Sequence, residues 1–324
     1  MVLKYFKSNQ PGVLMLVPIV TAVCWLPFFF SQPAVDPGAN WALEFISPYP
    51  LDPVISKIIC AVLVALQALW MNRIMNSTEL FGRPTYIFSL VFIVISAICS
   101  YNGELTEAQL SLLFVLPAVD ELLDMFGQRT LTNHVFKAGV LLGVATLICP
   151  VNLFLFLLPY AGLYLIRSFY WRDWLFTLIG FALPFLFWFT IAYARQLPFI
   201  KQYLVSDTLP MLKNITDFYL FQHVVLCILL FFGFLTYLGA LNSTIIKIRK
   251  MRLLIVYMLV FGTGALIGMY TTQTARVNFQ LLIIPFTAIL SFYILNARFK
   301  WMASLGFYLL LAFYFLRNVL YDFY

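Results

Sequence analysis

Apolar runs of about eighteen residues, repeated along the chain and broken by charged or proline-bearing links, constrain this sequence more than any other feature in it. The first, residues 13–30, contains no charged side chain, and comparable runs follow to the end of the chain. Stretches of that length and composition read as membrane-spanning helices. In lipid a backbone must satisfy its own hydrogen bonds, so such runs are helical. Soluble domains carry about 25% charged residues, whereas here 10% of the 324 residues are charged and 63% hydrophobic, with a mean hydropathy of +0.94. The expected fold is therefore all-α, a polytopic transmembrane helical bundle formed by one integral-membrane domain over residues 1–324.

Eleven segments emerge between the breaks: 13–30, 54–71, 86–100, 106–120, 138–149, 151–166, 174–193, 218–241, 253–270, 279–296 and 301–316. Thr106 and Gln109 have capping-box spacing and mark the start of the fourth. The fifth and sixth share one apolar stretch broken at Cys149-Pro150, which suits two short helices meeting in a tight turn. Lys4 and Lys7 before the first run give it the look of a signal peptide. The run is longer than a signal's apolar region and no A-x-A-like site follows it, so it reads as a retained span.

Charge fixes the expected orientation. With the N-terminus inside and every segment crossing, the inner links collect Lys4, Lys7, Arg73, Arg83, Arg129, Lys137, Arg167, Arg172, Lys247, Arg249, Lys250, Arg252, Arg298 and Lys300. The outer side keeps Lys57, Arg195, Lys201, Lys213, Arg276 and Arg317. Fourteen cations against six satisfies the positive-inside rule, and places the C-terminus outside. The net charge of +7 is then a topology signal and a surface for anionic inner-leaflet lipid, not a mark of nucleic-acid binding. The localisation that follows is a membrane crossed many times.

The five cysteines sit in apolar runs without CxxC or CxxH spacing, which suits small core residues. His134 and His223 are isolated and read as structural, and no metal site is expected. The Gly139-x-x-x-Gly143 and Gly264-x-x-x-Gly268 pairs allow close helix approach.

Polar chemistry concentrates in the outer links. The first, 31–53, holds Asp36 at a Pro-Gly turn and Glu44, which Trp41 and Phe45 would hold at headgroup depth on a short interfacial helix. The second carries Glu104 and Glu107, and the link 194–217 carries Arg195, Lys201 and Lys213. Arg276 stands alone between two apolar spans, a position suited to bidentate phosphate contact. Candidate catalytic residues are Asp36, Glu44 and Glu104, and candidate phosphate or lipid contacts are Arg276, Arg195 and Lys201. Acids on two links facing cations on others could activate a hydroxyl beside a phosphate leaving group.

The stretch FKAGVLLGVATLICPVNLFLFLLPYAGLYLIRSFYWRDWLFTLIGFALPFLF (136–187) resembles a family of polytopic inner-membrane proteins from Bacteroidota, as do RVNFQLLIIPFTAILSFYILNARFKW (276–301) and the N-terminal FKSNQPG. The layout is also distantly similar to GT-C-type glycosyltransferases, in its inside N-terminus, acidic first outer loop with an interfacial helix, and Gly-rich fifth span. That resemblance implies a polyprenyl-phosphate-linked sugar donor on the outer side, and it leaves room for a divalent cation, with no cofactor required by the residues themselves. It implies Asp36 as general base or metal contact, Glu104 as the second-loop acid and Arg276 as phosphate contact. The sequence departs from it in having no paired acids beside Asp36 and no soluble domain after the last span.

Two functions of different classes fit these residues. One is a GT-C-like glycosyltransferase. The other is a non-catalytic membrane subunit or scaffold of a cell-envelope assembly, with membrane-protein partners. A solute or lipid transporter fits less well, because the spans carry no interior charges.

Overall fold

In a computed structural model of the chain, the residues described are 2–7, 12–30, 52–82, 84–100, 103–128, 130–166, 169–194, 217–241, 245–271, 279–297 and 299–321. They are helical throughout, with no strand among them. A short α1 (Val2–Phe6) precedes α2 (Gly12–Phe30), α3 (Pro53–Ser77), α4 (Ile87–Cys99), α5 (Glu107–Asp124) and α6 (Thr132–Ile148). A 3-10 turn, Pro150–Phe156, leads into α7 (Leu157–Ile166). There follow α8 (Trp171–Ala194), α9 (Asp217–Gly239), α10 (Ile246–Thr271), α11 (Ile283–Asn296) and α12 (Lys300–Tyr321).

Each of the eleven expected segments coincides with a helix, and the break falls at Cys149-Pro150 as read. The boundaries differ where the sequence turns polar. α3 runs on to Ser77 through Arg73, α6 begins at Thr132, and the basic KIRKMR stretch (247–252) lies within α10. Backbone hydrogen bonding continues past the apolar limit in each case, because these charged side chains extend away from the helix without interrupting it. Among the described residues, Gly12–Phe30, Pro53–Ser77 and Trp171–Ala194 are long and apolar enough to cross a membrane. The other apolar helices are shorter, Ile87–Cys99 and Ile283–Asn296 among them.

Those two short helices explain the core. α4 is buried from Ile87 to Ile98 and α11 at nearly every position from Ile283 to Ile294. A helix that is apolar on every face belongs in the interior, and both pack against each other at the centre. The peripheral helices are two-faced. α2, α3 and α8 bury one side and leave Leu14, Ile19, Val62, Leu66, Leu178 and Phe187 exposed on the other. A water-soluble monomer does not tolerate an exposed apolar surface of that extent.

α6 and α8 make the closest helix pair, and glycine is the reason. A Cβ on Gly139 would sit 2.7 Å from the Thr177 carbonyl oxygen, one on Gly143 2.6 Å from that of Phe181, and one on Gly180 2.5 Å from that of Phe136. The backbones touch because none of the three has a side chain. Gly264 behaves differently: a Cβ there would meet nothing within 4 Å, so it is no packing contact. The five cysteines are free thiols; Cys24, Cys60 and Cys149 are buried in the bundle, while Cys227 is exposed.

The bundle has two unlike poles. At one, the Tyr86 N–H donates to the Phe6 carbonyl (3.0 Å), Lys250 Nζ to that of Ile166 (3.3 Å), and Lys7 lies near Lys300. Partial burial and that neighbouring cation hold the Lys7 ammonium below its usual range. The described cations Lys7, Arg73, Lys137, Arg172, Lys247, Arg249, Lys250, Arg252 and Lys300 lie on helix ends and links toward this pole, whereas Lys57 and Arg317 lie on helices toward the other. Arg252 departs from expectation. It is not a solvated link residue: it is 5% exposed, and its guanidinium donates to the carbonyls of Ala240 (3.2 Å) and Leu80 (3.0 Å). The rings of Phe292, Phe81 and Tyr237 stand 4.8, 6.0 and 6.0 Å from it. Cation–π attraction compensates part of its lost hydration.

Candidate functional site

Opposite the basic pole, the end of α2, the start of α3 and the link from α4 to α5 are tied into one piece. α2 runs out of intrahelical donors in its last turn, and Lys57 supplies one: its Nζ, almost fully buried, donates to the Phe28 carbonyl at 2.6 Å. A cation at that helix end also complements the dipole. The Trp25 indole N–H donates to the Gly103 carbonyl at 3.1 Å, and the Leu105 N–H donates to Ser56 Oγ at 3.0 Å. Gly103 has φ +69°, and a Cβ on it would fall 2.5 Å from the Phe28 ring.

Glu104 stands between those two anchored residues. It is half-buried, and its Oε1 is shut off from solvent with no hydrogen-bond partner among the described residues. A buried acceptor without a donor costs about 1–3 kcal/mol. Once uncovered, the same oxygen can accept a proton or a hydroxyl hydrogen bond from an incoming group.

Deeper in the bundle lies a polar pair that the sequence reading missed. Gln109 Nε2 donates to Gln67 Oε1 at 2.5 Å, and Gln67 Nε2 donates to the Gln109 carbonyl at 2.9 Å. Both residues are fully buried. The capping box at the start of α5 is thus half formed. Thr106 Oγ1 accepts from the Gln109 N–H at 3.2 Å, while the Gln109 side chain turns to α3. Gln67 is fourteen residues into α3, about 21 Å along its axis at 1.5 Å per residue. α5 therefore begins well inside the bundle, below the level at which α3 starts. Among the described residues Gln109 Oε1 and Asn152 Oδ1 are both buried without a partner, and Glu107, in the first turn of α5, is within electrostatic reach of Cys149 beside Asn152.

Of the residues named from sequence, Glu104 is the candidate that falls in this region. Asp36, Glu44, the interfacial helix expected over 31–53, Arg195, Lys201, Lys213 and Arg276 lie outside the described residues. Among the described residues no group of three or more His, Cys, Asp or Glu side chains could hold a metal ion. His134, isolated in the sequence, is paired through Nδ1 to Glu121 Oε2 at 2.7 Å. Gln67 had a visible signal, a lone amide in the middle of an apolar run. Lys57 had none beyond its sign, and only the fold shows that it is internal.

The fold and the site define an all-helical bundle with membrane-length apolar helices and a half-buried carboxylate at the pole opposite its basic links. No protein-family model matches the chain, and no curated protein or solved structure does either.

Proposed function

We propose that the chain is a multi-pass protein of a bacterial inner membrane, with its basic pole toward the cytoplasm, that catalyses transfer to an acceptor hydroxyl at the opposite, outer pole. The reaction class is the GT-C-like one, with a polyprenyl-phosphate-linked sugar as donor. Glu104 is the general base. Arg276, Arg195 and Lys201 are the phosphate contacts, and Asp36 and Glu44 are the other acids of the outer links. A divalent cation would be held by the acids of those links. The observation that carries the reading is the buried, unpartnered Oε1 of Glu104, on a backbone fixed by Trp25 and Ser56 on either side. The cation sorting between poles supports the orientation.

Membranes carrying the full chain and a labelled polyprenyl-phosphate sugar test the reaction. Glu104→Gln is expected to lower transfer roughly 10²–10⁴-fold, the range for losing a general base, at unchanged protein level. Full transfer by Glu104→Gln, Asp36→Asn and Glu44→Gln alike would remove the reading.

A second reading, a non-catalytic subunit or scaffold of an envelope assembly, has its own support. Lys57, Gln67, Gln109 and Arg252 are all used to join helices. It requires a defined membrane-protein partner that co-purifies in mild detergent; a lone, monodisperse chain counts against it.

A further inference from the structure

Three links converge at the basic pole around the start of α10. The Lys247 ammonium lies 3.0 Å from where a Cβ on Gly127 would be, which brings the α5–α6 link alongside. Lys250 Nζ donates to the Ile166 carbonyl at 3.3 Å, which brings the α7–α8 link to the same place. With that link comes Arg172, exposed at the start of α8 with its guanidinium 5.8 Å over the Phe176 ring.

Among the described residues none of these cations has an acid within 4 Å, the exposed Glu79 beside Leu80 included. Lys247 and Arg249 are exposed and Lys250 is half-buried, and the first turn of α10 holds no acid. Among the described residues the ion pairs within 4 Å belong to Glu121, with His134 (2.7 Å) and Lys137 (3.2 Å). Asp173, next to Arg172 in sequence, is fully buried and accepts from Thr132 Oγ1 at 2.7 Å. Asp124 is exposed but stands in the neighbourhood of Asp120 and Arg73.

Apolar side chains border the cations. Ile245 and Ile246 are 72% and 62% exposed, Phe169 and Trp171 70% and 65%. Exposed aliphatic and aromatic side chains beside ammonium and guanidinium groups match the headgroup layer. The first enter the acyl boundary, and the second meet the phosphates. We infer that Lys247, Arg249, Lys250 and Arg172 form a docking surface for the phosphate headgroups of anionic phospholipid. Charge complementarity selects this occupant, and the apolar border selects a lipid over a soluble anion. Arg252 is not part of the surface. Buried and bonded to Leu80 and Ala240, it fixes the end of α10 so that the three cations before it are presented from a rigid turn.

The test uses the purified full chain in detergent with phosphatidylglycerol or phosphatidylcholine added, and counts retained lipid by native mass spectrometry. The wild type is expected to retain phosphatidylglycerol selectively, less so as salt rises through the range that screens exposed charges. Lys247→Gln/Arg249→Gln/Lys250→Gln is expected to lose at least tenfold in phosphatidylglycerol retention, with phosphatidylcholine unchanged. Should the triple variant not fold, Arg249→Gln alone is expected to lose severalfold. Lys137→Gln, whose cation is already paired with Glu121, leaves retention as it was. Equal retention by wild type and the folded variants would overturn the inference, and so would displacement of the lipid by inorganic phosphate at equal concentration.

Discussion

Gly103 shows how much of the outer pole rests on single positions. Its φ of +69° suits a residue without a Cβ, and the Phe28 ring occupies the space a Cβ would take. Gly103→Ala combines left-handed strain with overpacking, and is expected to cost about 2 kcal/mol or more, read as a lower midpoint of thermal unfolding in detergent. Trp25 fluorescence should change in the same variant, because its indole N–H loses a fixed partner in the Gly103 carbonyl. None of this could be read from the sequence. SYNGEL announces a turn, but Phe28 is seventy-five residues away. Glu104 was legible as a polar residue in an outer link, since topology alone puts acids there. What could not be read is that one of its oxygens is buried unpaired while Lys57, of opposite sign, is committed to a backbone carbonyl.

The helices themselves were the most legible part, because hydropathy reports burial in lipid and in protein alike. That equivalence is also why sequence could not sort them. α4 and α11 look like the spans around them, yet at 13 and 14 residues they form the interior and touch little but protein. The α6–α8 pair was half legible: Gly139 and Gly143 signalled close approach, but the partner, and Gly180 opposite, came from the fold. Gly180→Leu is expected to force the helices apart at the Phe136 carbonyl and destabilise by about 1–3 kcal/mol. Gly264→Leu, in open space, is the control and should be near neutral. Equal unfolding midpoints for the two variants would contradict the packing described. KIRKMR is the converse case, legible as charge and not as structure. Lys247 and Arg249 extend outward, Lys250 ties down the Ile166 carbonyl, and Arg252 closes an internal cage.

At the scale of the whole molecule the chain begins and ends at different poles. α12 starts beside Lys7 at the basic pole and runs past Cys24, far along α2. On the proposed orientation, a reporter fused after Tyr324 is expected to be active outside the cytoplasm, and one fused before Lys4 inside. Activity of both on one side would reject the arrangement. The contact between α2 and α12 has a further meaning in time. Tyr314 Oη donates to the Cys24 carbonyl at 2.5 Å, and the Leu3 N–H lies 3.5 Å from Tyr308 Oη. The earlier partner of each pair leaves the ribosome some three hundred residues before the later one. Until α12 arrives, that flank of α2 lacks the contact that covers it. The α2–α12 contact thus forms only after Tyr308 and Tyr314 have been made, and a chain cut before Tyr308 would leave that flank of α2 uncovered.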